Sequence, residues 1–329
     1  ISKRKLLFFS LVLSSTLSGL VYFSALFIEG GRLVAERIKN SFIDIVNDVT
    51  HAAEKVISGV TPFTAAFIIV LSLGWLVSFM LNFVMHINFA VSRNEKLLLI
   101  SRGFFSKRRY CINTEKINYV DLKQNFFMKL CGFSSVQISC AGYGKNKNEV
   151  PVLMPLIENK NDLKKIRQLL PEMCSAEIAV QAVKKSLLRF AAVPVLLIYG
   201  VMAAAFAAIV LFPDWYKVTG FLAFMCGIIL LHFYAVCLAE YFSCGAGSDG
   251  KVLTIKCRNF FQFHNITVPV EKITVLKLRQ TLLQKRSSLC DMIIYTENEK
   301  VTPYRVRGLD YNEAKRQAAF LMKGCFMLP

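Results

Sequence analysis

The sequence predicts a membrane protein in which α-helical hairpins alternate with two small α+β domains. Each domain reads as a small β-barrel or sheet with one C-terminal helix. Three observations carry this reading: four long charge-free apolar stretches, two polar segments that each read as short strands followed by one helix, and an alignment of those segments at one constant spacing. Composition agrees. The chain has 329 residues, 54% of them hydrophobic and only 19% charged, with a mean hydropathy of +0.45. That is too apolar for an ordinary soluble protein, and collagen-like, disordered and disulfide-framework classes are excluded. A net charge of +18 must therefore be segregated from the apolar part.

The apolar stretches run from Leu6 to Ile28, Phe63 to Ala90, Phe190 to Phe212 and Val218 to Ala239. Each reaches the length of about 20 apolar residues that a bilayer requires. The last two are joined only by PDWYK, a tight interfacial turn with aromatic residues, and so form a hairpin. Lys3, Arg4 and Lys5 precede the first span, Arg93 and Lys96 follow the second, and Lys184, Lys185 and Arg189 precede the third. The positive-inside rule then places both termini and both polar domains in the cytoplasm of a multi-pass inner-membrane protein. Residue 1 is Ile, so an upstream portion is expected.

Residues 1–90 thus hold two spans, joined at about 32–60 by an extracytoplasmic amphipathic helix. Its apolar stripe is Ile38, Phe42, Ile45, Val49, Ala52, Val56 and Val60. Residues 91–189 form the first polar domain, with strand-like runs such as KINYVDL and SVQISC before a helix in ENKNDLKKIRQLL. Residues 190–240 are the hairpin; within it Gly200, Ala203, Ala204 and Ala207 offer a small-residue face for close helix packing. Residues 241–329 repeat the strand order and end in a helix from about Asp310 to Leu321.

The two polar segments are copies. Arg102 to Leu130 aligns without a gap on Arg258 to Arg286 at an offset of 156, with nine of 29 pairs identical. About two are expected by chance from average composition. The identities include Arg102/Arg258, Phe104/Phe260, Phe105/Phe261, Ile117/Ile273, Leu122/Leu278, Gln124/Gln280 and Lys129/Lys285.

The segment EKINYVDLKQNFFMKLCGFSSVQISCAG resembles the signature of the bacterial pleckstrin-homology-like (PH-like) domain of YdbS/YdbT-type membrane proteins. The corresponding residues are Ile117, Val120, Leu122, Gln124, Phe126, Phe127, Leu130, Gly132, Val136, Ile138 and Gly142. The second copy keeps Ile273, Leu276, Leu278, Gln280, Leu282 and Leu283, and departs at Ser288, where Gly132 stands in the first. The resemblance implies span pairs alternating with tandem PH-like domains. It implies three domains in many members, hence an N-terminal unit absent here, and a loose link to envelope stress or peptide resistance. It implies no reaction.

Residue chemistry points away from catalysis. The ten cysteines include no C-x-x-C and read as structural thiols in a reducing compartment, with no metal or cofactor expected. Cys237, Cys244 and Cys257 near the inner face are weak candidates for acylation. His86 and His232 lie within spans without charged partners and read as interfacial or interhelix hydrogen-bonding residues. Gly142-Tyr143-Gly144 with Lys145 and Lys147 lacks a phosphate-loop pattern and reads as a hairpin turn. The basic loop residues Lys107, Arg108, Arg109, Lys145 and Lys147 are the candidate contacts to anionic lipid headgroups. Nucleic acid is not expected as a partner, since no recognition helix or stacking motif accompanies the charge. The expected partners are membrane lipid and a second copy of the chain or another membrane protein. The function read from the sequence is a non-enzymatic membrane scaffold or interaction protein. It presents its two domains at the cytoplasmic surface and binds anionic headgroups or protein partners. The alternative is a component of a membrane transport, export or resistance system.

Overall fold

The computed structural model describes residues 41, 43–52, 62–86, 89–102, 108–140, 152–158, 166, 168–173, 176–296 and 303–326. The first predicted span, most of the amphipathic helix and the 141–151 hairpin lie outside the described residues. The chain divides into two compact units, residues 1–92 with 99–111 and residues 93–98 with 112–329. That division runs through the segment read as the first domain (91–189), and it groups the hairpin with both the remainder of that segment and residues 241–329.

In the smaller unit, residues 43–52 are helical, yet the protein covers Val46 and Thr50 while Ile45 and Val49 of the predicted stripe are exposed. Helix α1 (Pro62–His86) follows, with its described apolar stretch at Ile69–Val84. Strands β1 (Ala90–Asn94), β2 (Leu97–Arg102) and β3 (Arg108–Asn113) then form a three-stranded sheet in that order.

The larger unit contains the hairpin. Helix α3 (Leu187–Leu211) and helix α4 (Tyr216–Ser243) are joined by a 3-10 turn at Pro213–Trp215, and both are long and apolar enough to cross a membrane. Helix α2 is the short Phe126–Leu130 element described below. Along α3 the half-buried positions are Ile198, Val201, Ala205 and Ala208, spaced at three and four residues. Gly200, Ala203, Ala204 and Ala207 are exposed, so the small-residue face points away from α4 and the packing stripe lies beside it. Helix α4 also runs past the predicted end at Ala239, because the charge of Glu240 is neutralised inside the protein instead of stopping the helix in water.

Strand β4 (Ile117–Asn125), α2, β5 (Phe133–Cys140) and β6 (Val152–Glu158) follow β3. After β7 (Val180–Gln181) and the hairpin come β8 (Gly245–Ser248), β9 (Val252–Asn259), β10 (Gln262–Pro269) and β11 (Ile273–Arg279). Helix α5 (Leu282–Arg286), β12 (Leu289–Thr296), β13 (Tyr304–Asp310) and helix α6 (Tyr311–Phe326) complete the chain. The same succession occurs twice at the offset of 156: 3-10 turns at Thr114–Lys116 and Val270–Lys272, then β4 and β11, then α2 and α5. Gln124 Nε2 donates to the Phe133 carbonyl at 2.7 Å, and Gln280 Nε2 donates to the Leu289 carbonyl at 2.8 Å. The shared glutamine is therefore a brace that ties each strand to the start of the next across the short helix.

The sheets are not two closed barrels. Seven strands run in the order β6-β5-β4-β10-β9-β8-β7, and β11-β12-β13 form a separate sheet. The junction is the antiparallel pair β4–β10, with Phe263 opposite Gln124 and Ile266 opposite Asp121. Strands from two different predicted domains thus share one hydrogen-bonded sheet. The second core packs Leu253, Ile255, Ile266 and Val268 against Met292, Ile294 and Val306, closed by Ala314 and Leu321 of α6 and by Phe190 of α3. In the first copy, Ile166 and Leu170 are buried from the segment read as a helix.

A buried carboxylate fixes the hairpin to the second copy. Asp291 has no exposed side-chain surface and accepts from Arg189 at 2.8 and 3.0 Å, from Arg305 at 2.6 Å, from Gln284 at 2.9 Å and from the Gly308 backbone N–H at 3.1 Å. Gly308 lies at φ +72°, and a Cβ there would fall 2.6 Å from Ser186 Cβ, so glycine lets β13 pass against the start of α3. On the other leg of the hairpin, near the end of α4, Glu240 accepts from Arg258 Nε at 2.5 Å, with both side chains buried.

Two outcomes follow from this geometry. Asp291→Ala strands Arg189 and Arg305, each about one-third exposed, and is expected to cost about 3 kcal/mol, read as a lower urea midpoint in detergent micelles. Ser288 sits at φ +54° where Gly132 has φ +74°. Ser288→Gly is expected to raise stability by about 0.5–1 kcal/mol by relieving left-handed strain, and Gly132→Ser to lower it similarly.

Candidate functional site

Of the basic residues singled out in the sequence, Lys107, Lys145 and Lys147 lie outside the described residues. Arg108 opens β3 and Arg109 follows it, exposed. Among the signature residues, Phe104 is outside the described set, Ile117 is buried, and Leu122, Gln124, Ile273, Leu278 and Gln280 are half-buried in their sheets. Gly132 provides the left-handed step after α2, and Phe260 caps the β9–β10 turn.

The structure builds a different basic site. A cavity of about 360 Å³ lies at the β4–β10 junction, beside Ser243 at the end of α4. The first copy contributes Leu122, Gln124, Lys129 and Ser134, and the second contributes Lys256, Cys257, Phe263, His264 and Asn265. Lys129 projects from the last turn of α2. Its ammonium donates to the Ala239 carbonyl at 3.1 Å and to Ser243 Oγ at 2.5 Å, and it stands 3.8 Å from the Phe263 ring centroid. A cation satisfying the free carbonyls of a helix C-terminus is favourable, and so is one over an aromatic face.

That position is nevertheless hard on the charge. Burial pushes the Lys129 ammonium down to about 8, and the positive charge of Lys256 adds to the shift. Neither lysine forms an ion pair among the described residues. Nearby charges are already committed: Glu240 to Arg258, and Asp121 to His264 Nδ1 at 2.7 Å. Asn265 Oδ1, in the cavity lining, is buried without a hydrogen-bond partner. Glu240 offsets part of the Lys129 shift, but the site holds two cations without an ion pair of their own among the described residues and an unused acceptor, which suits an anion that also carries a hydroxyl or water donor.

Sequence reasoning missed this cavity because its residues are over 100 positions apart. The available signal was the Lys129/Lys285 identity within the repeat. His232 does not make the expected interhelix hydrogen bond among the described residues. It packs instead among rings, 5.1 Å from Phe126, 6.0 Å from Phe127 and 6.2 Å from Phe261. Cys237, Cys244 and Cys257 are buried and closed to acyl transfer. Burial pushes the Cys140 thiol up to about 11 and that of Cys244 up to about 12, so they stay protonated at neutral pH.

Residues 43–173 match the bacterial PH domain family. The UPF0699 transmembrane protein YdbT of Bacillus subtilis (strain 168) is 29% identical over 123 residues, which is 36% of this chain and 25% of that protein. The chain therefore matches about a quarter of the length of that curated relative. No solved structure matches. The chain is thus similar to bacterial PH-domain proteins of the transmembrane YdbT type, with the family match lying on residues 43–173.

Proposed function

We propose that the chain is a non-enzymatic membrane scaffold whose two PH-like domains are held at the cytoplasmic surface by four spans, and that the cavity at their junction takes a phosphate-type anion of a lipid headgroup. The observation that carries this reading is the pair Lys129 and Lys256 in a cavity at the foot of α4, with no ion pair to either among the described residues. A span end is where headgroup phosphates are concentrated, and a near-surface cation contributes about 1 kcal/mol toward them. The second PH-like domain rests on the shared element order, the paired glutamine braces and the gapless alignment of Arg102–Leu130 on Arg258–Arg286. Positive charge flanking the spans supports the cytoplasmic placement. Partners other than lipid, whether a second copy or another membrane protein, would use the same presented surface.

Reporter fusions after residues 45 and 145 of the full chain test the orientation, with the first expected outside and the second inside. The anion site is tested on the purified protein in neutral-lipid nanodiscs, by the thermal shift on adding inorganic phosphate or phosphatidylglycerol. Lys256→Met is expected to weaken binding about tenfold, one ion pair's worth. The pH dependence has a definite sign. Lys129 is protonated below about 8 and a bound anion favours that form, so affinity is full below pH 8 and falls as pH rises through it. Binding unchanged from pH 7 to 9.5 and by Lys256→Met would remove the site.

A further inference from the structure

Among the described residues, the most exposed large apolar side chains outside the hairpin lie on three tips. Leu282 and Leu283 of α5 are 90% and 83% exposed, Phe260 of the β9–β10 turn 82%, and Leu130 and Phe127 of α2 76% and 60%. Both α2 and the β9–β10 turn reach up the side of α4. Phe126 and Phe127 pack on His232, and Phe261 packs on His232 and, at 5.9 Å, on Phe233. His232 lies eleven residues before the end of α4 at Ser243, about 16 Å along the helix at 1.5 Å per residue. The tips therefore stand beside the α3–α4 hairpin, which itself leaves Leu196, Tyr199 and Phe206 bare. On the other side α5 flanks the start of α3, since Gln284 and Arg189 share Asp291 and the neighbouring Leu188 is exposed.

Basic residues adjoin the tips: Lys129 in the last turn of α2, and Lys285 and Arg286 in the last turn of α5. Apolar groups leading and cations trailing is the arrangement of an interfacial anchor. Phe260 adds a second mark. A bulky side chain at φ +53° is strained, and it is held there by the Arg258 guanidinium, which donates to the Phe260 carbonyl. An apolar surrounding, such as the acyl chains beside the hairpin, rewards presenting a phenylalanine in that way.

We infer that α2, the β9–β10 turn and α5 dip into the acyl-chain region of the leaflet, so that the sheets are embedded in the membrane surface instead of hanging below it on the spans. The inference rests on the membrane reading of the α3–α4 hairpin, and its occupant is lipid acyl chain. The repeat supports it, since Phe104 and Phe105 match Phe260 and Phe261, and the apolar pair opening α2 recurs in α5.

The test uses the full chain in nanodiscs whose lipids are brominated at mid-chain, with tryptophan fluorescence corrected for Trp75 and Trp215. Phe260→Trp and Leu283→Trp report the tips, Tyr199→Trp the hairpin, and Phe320→Trp the far end of β9, where Phe320 packs beside Gly250. Expected is a loss of at least half the added emission at positions 199, 260 and 283, with position 320 quenched only by aqueous acrylamide. Quenching by bromine at 199 alone, with 260 and 283 open to acrylamide, would sink the insertion and leave the hairpin reading intact. No bromine quenching at 199 would remove the hairpin reading itself. Positions 260 and 283 shielded from both quenchers would overturn the inference in favour of a protein partner. Because these side chains are exposed, the substitutions leave the core untouched.

Discussion

A charge with no exposed surface has to be matched where it lies, and Asp291 is matched by two arginines from different elements. One of them, Arg189, stands in the first turn of a membrane-length helix; the other, Arg305, stands in a strand of the second copy. Removing either element would leave a buried carboxylate short of partners. The Glu240–Arg258 pair imposes the same condition at the end of α4. Both legs of the hairpin are thereby tied to the sheets at their polar ends, and the orientation of the strands follows from that of the two helices. A domain tethered by a flexible linker would have no such relation. Here a tilt of the hairpin is necessarily a tilt of the strands that carry the cavity.

The continuous sheet depends on a second pairing, and charge makes it selective. At β4–β10 the buried Asp121 meets His264 across the strands. Two of the edge strands, β3 and β11, align with β10 and β4 at the offset of 156. Carrying the β4–β10 register over would set Arg108 opposite Arg279 and Tyr110 opposite Lys277, with Arg109 alongside. Asp121 would be replaced by Lys277 and His264 by Arg108, turning an attractive pair into a repulsive one. Cationic side chains on an edge are a recognised means of keeping strands from adding to it. The junction that forms once within the chain is thus discouraged from repeating between chains.

Much of the architecture was legible because it depends on local pattern. Hydropathy gave the hairpin, and the gapless repeat foretold that α2 and α5 begin at equivalent positions. Ser288 in place of Gly132 looked like a departure, but the backbone keeps a positive φ at both, so the fold outvoted the side chain. What the sequence could not show was long-range. Period and propensity report which face of a strand is apolar and are silent on which edge it meets, so the merger of β4 with β10 was hidden. The small-residue face on α3 failed for a related reason: Gly200, Ala203, Ala204 and Ala207 make close packing permissible without making it occur. Arg189 was read as a flank of the span, yet its geometry is that of a buried anchor.

The candidate site follows from the same asymmetry. Lys129 and Lys285 align at the offset of 156, each in the last turn of a short helix. Lys129 meets the end of α4 and the Phe263 ring and is half-buried, which pushes its ammonium down to about 8. Lys285 belongs to a helix whose Leu282 and Leu283 remain bare. The difference lies in what each helix docks against, since α2 has the foot of a span beside it. Lys129 comes from the first copy, Lys256 from the second and Ser243 from the hairpin, so no single copy contains the cavity. Duplication of a module with no evident chemistry could therefore create a charged pocket at the seam, where two otherwise ordinary lysines are brought together and partly dried.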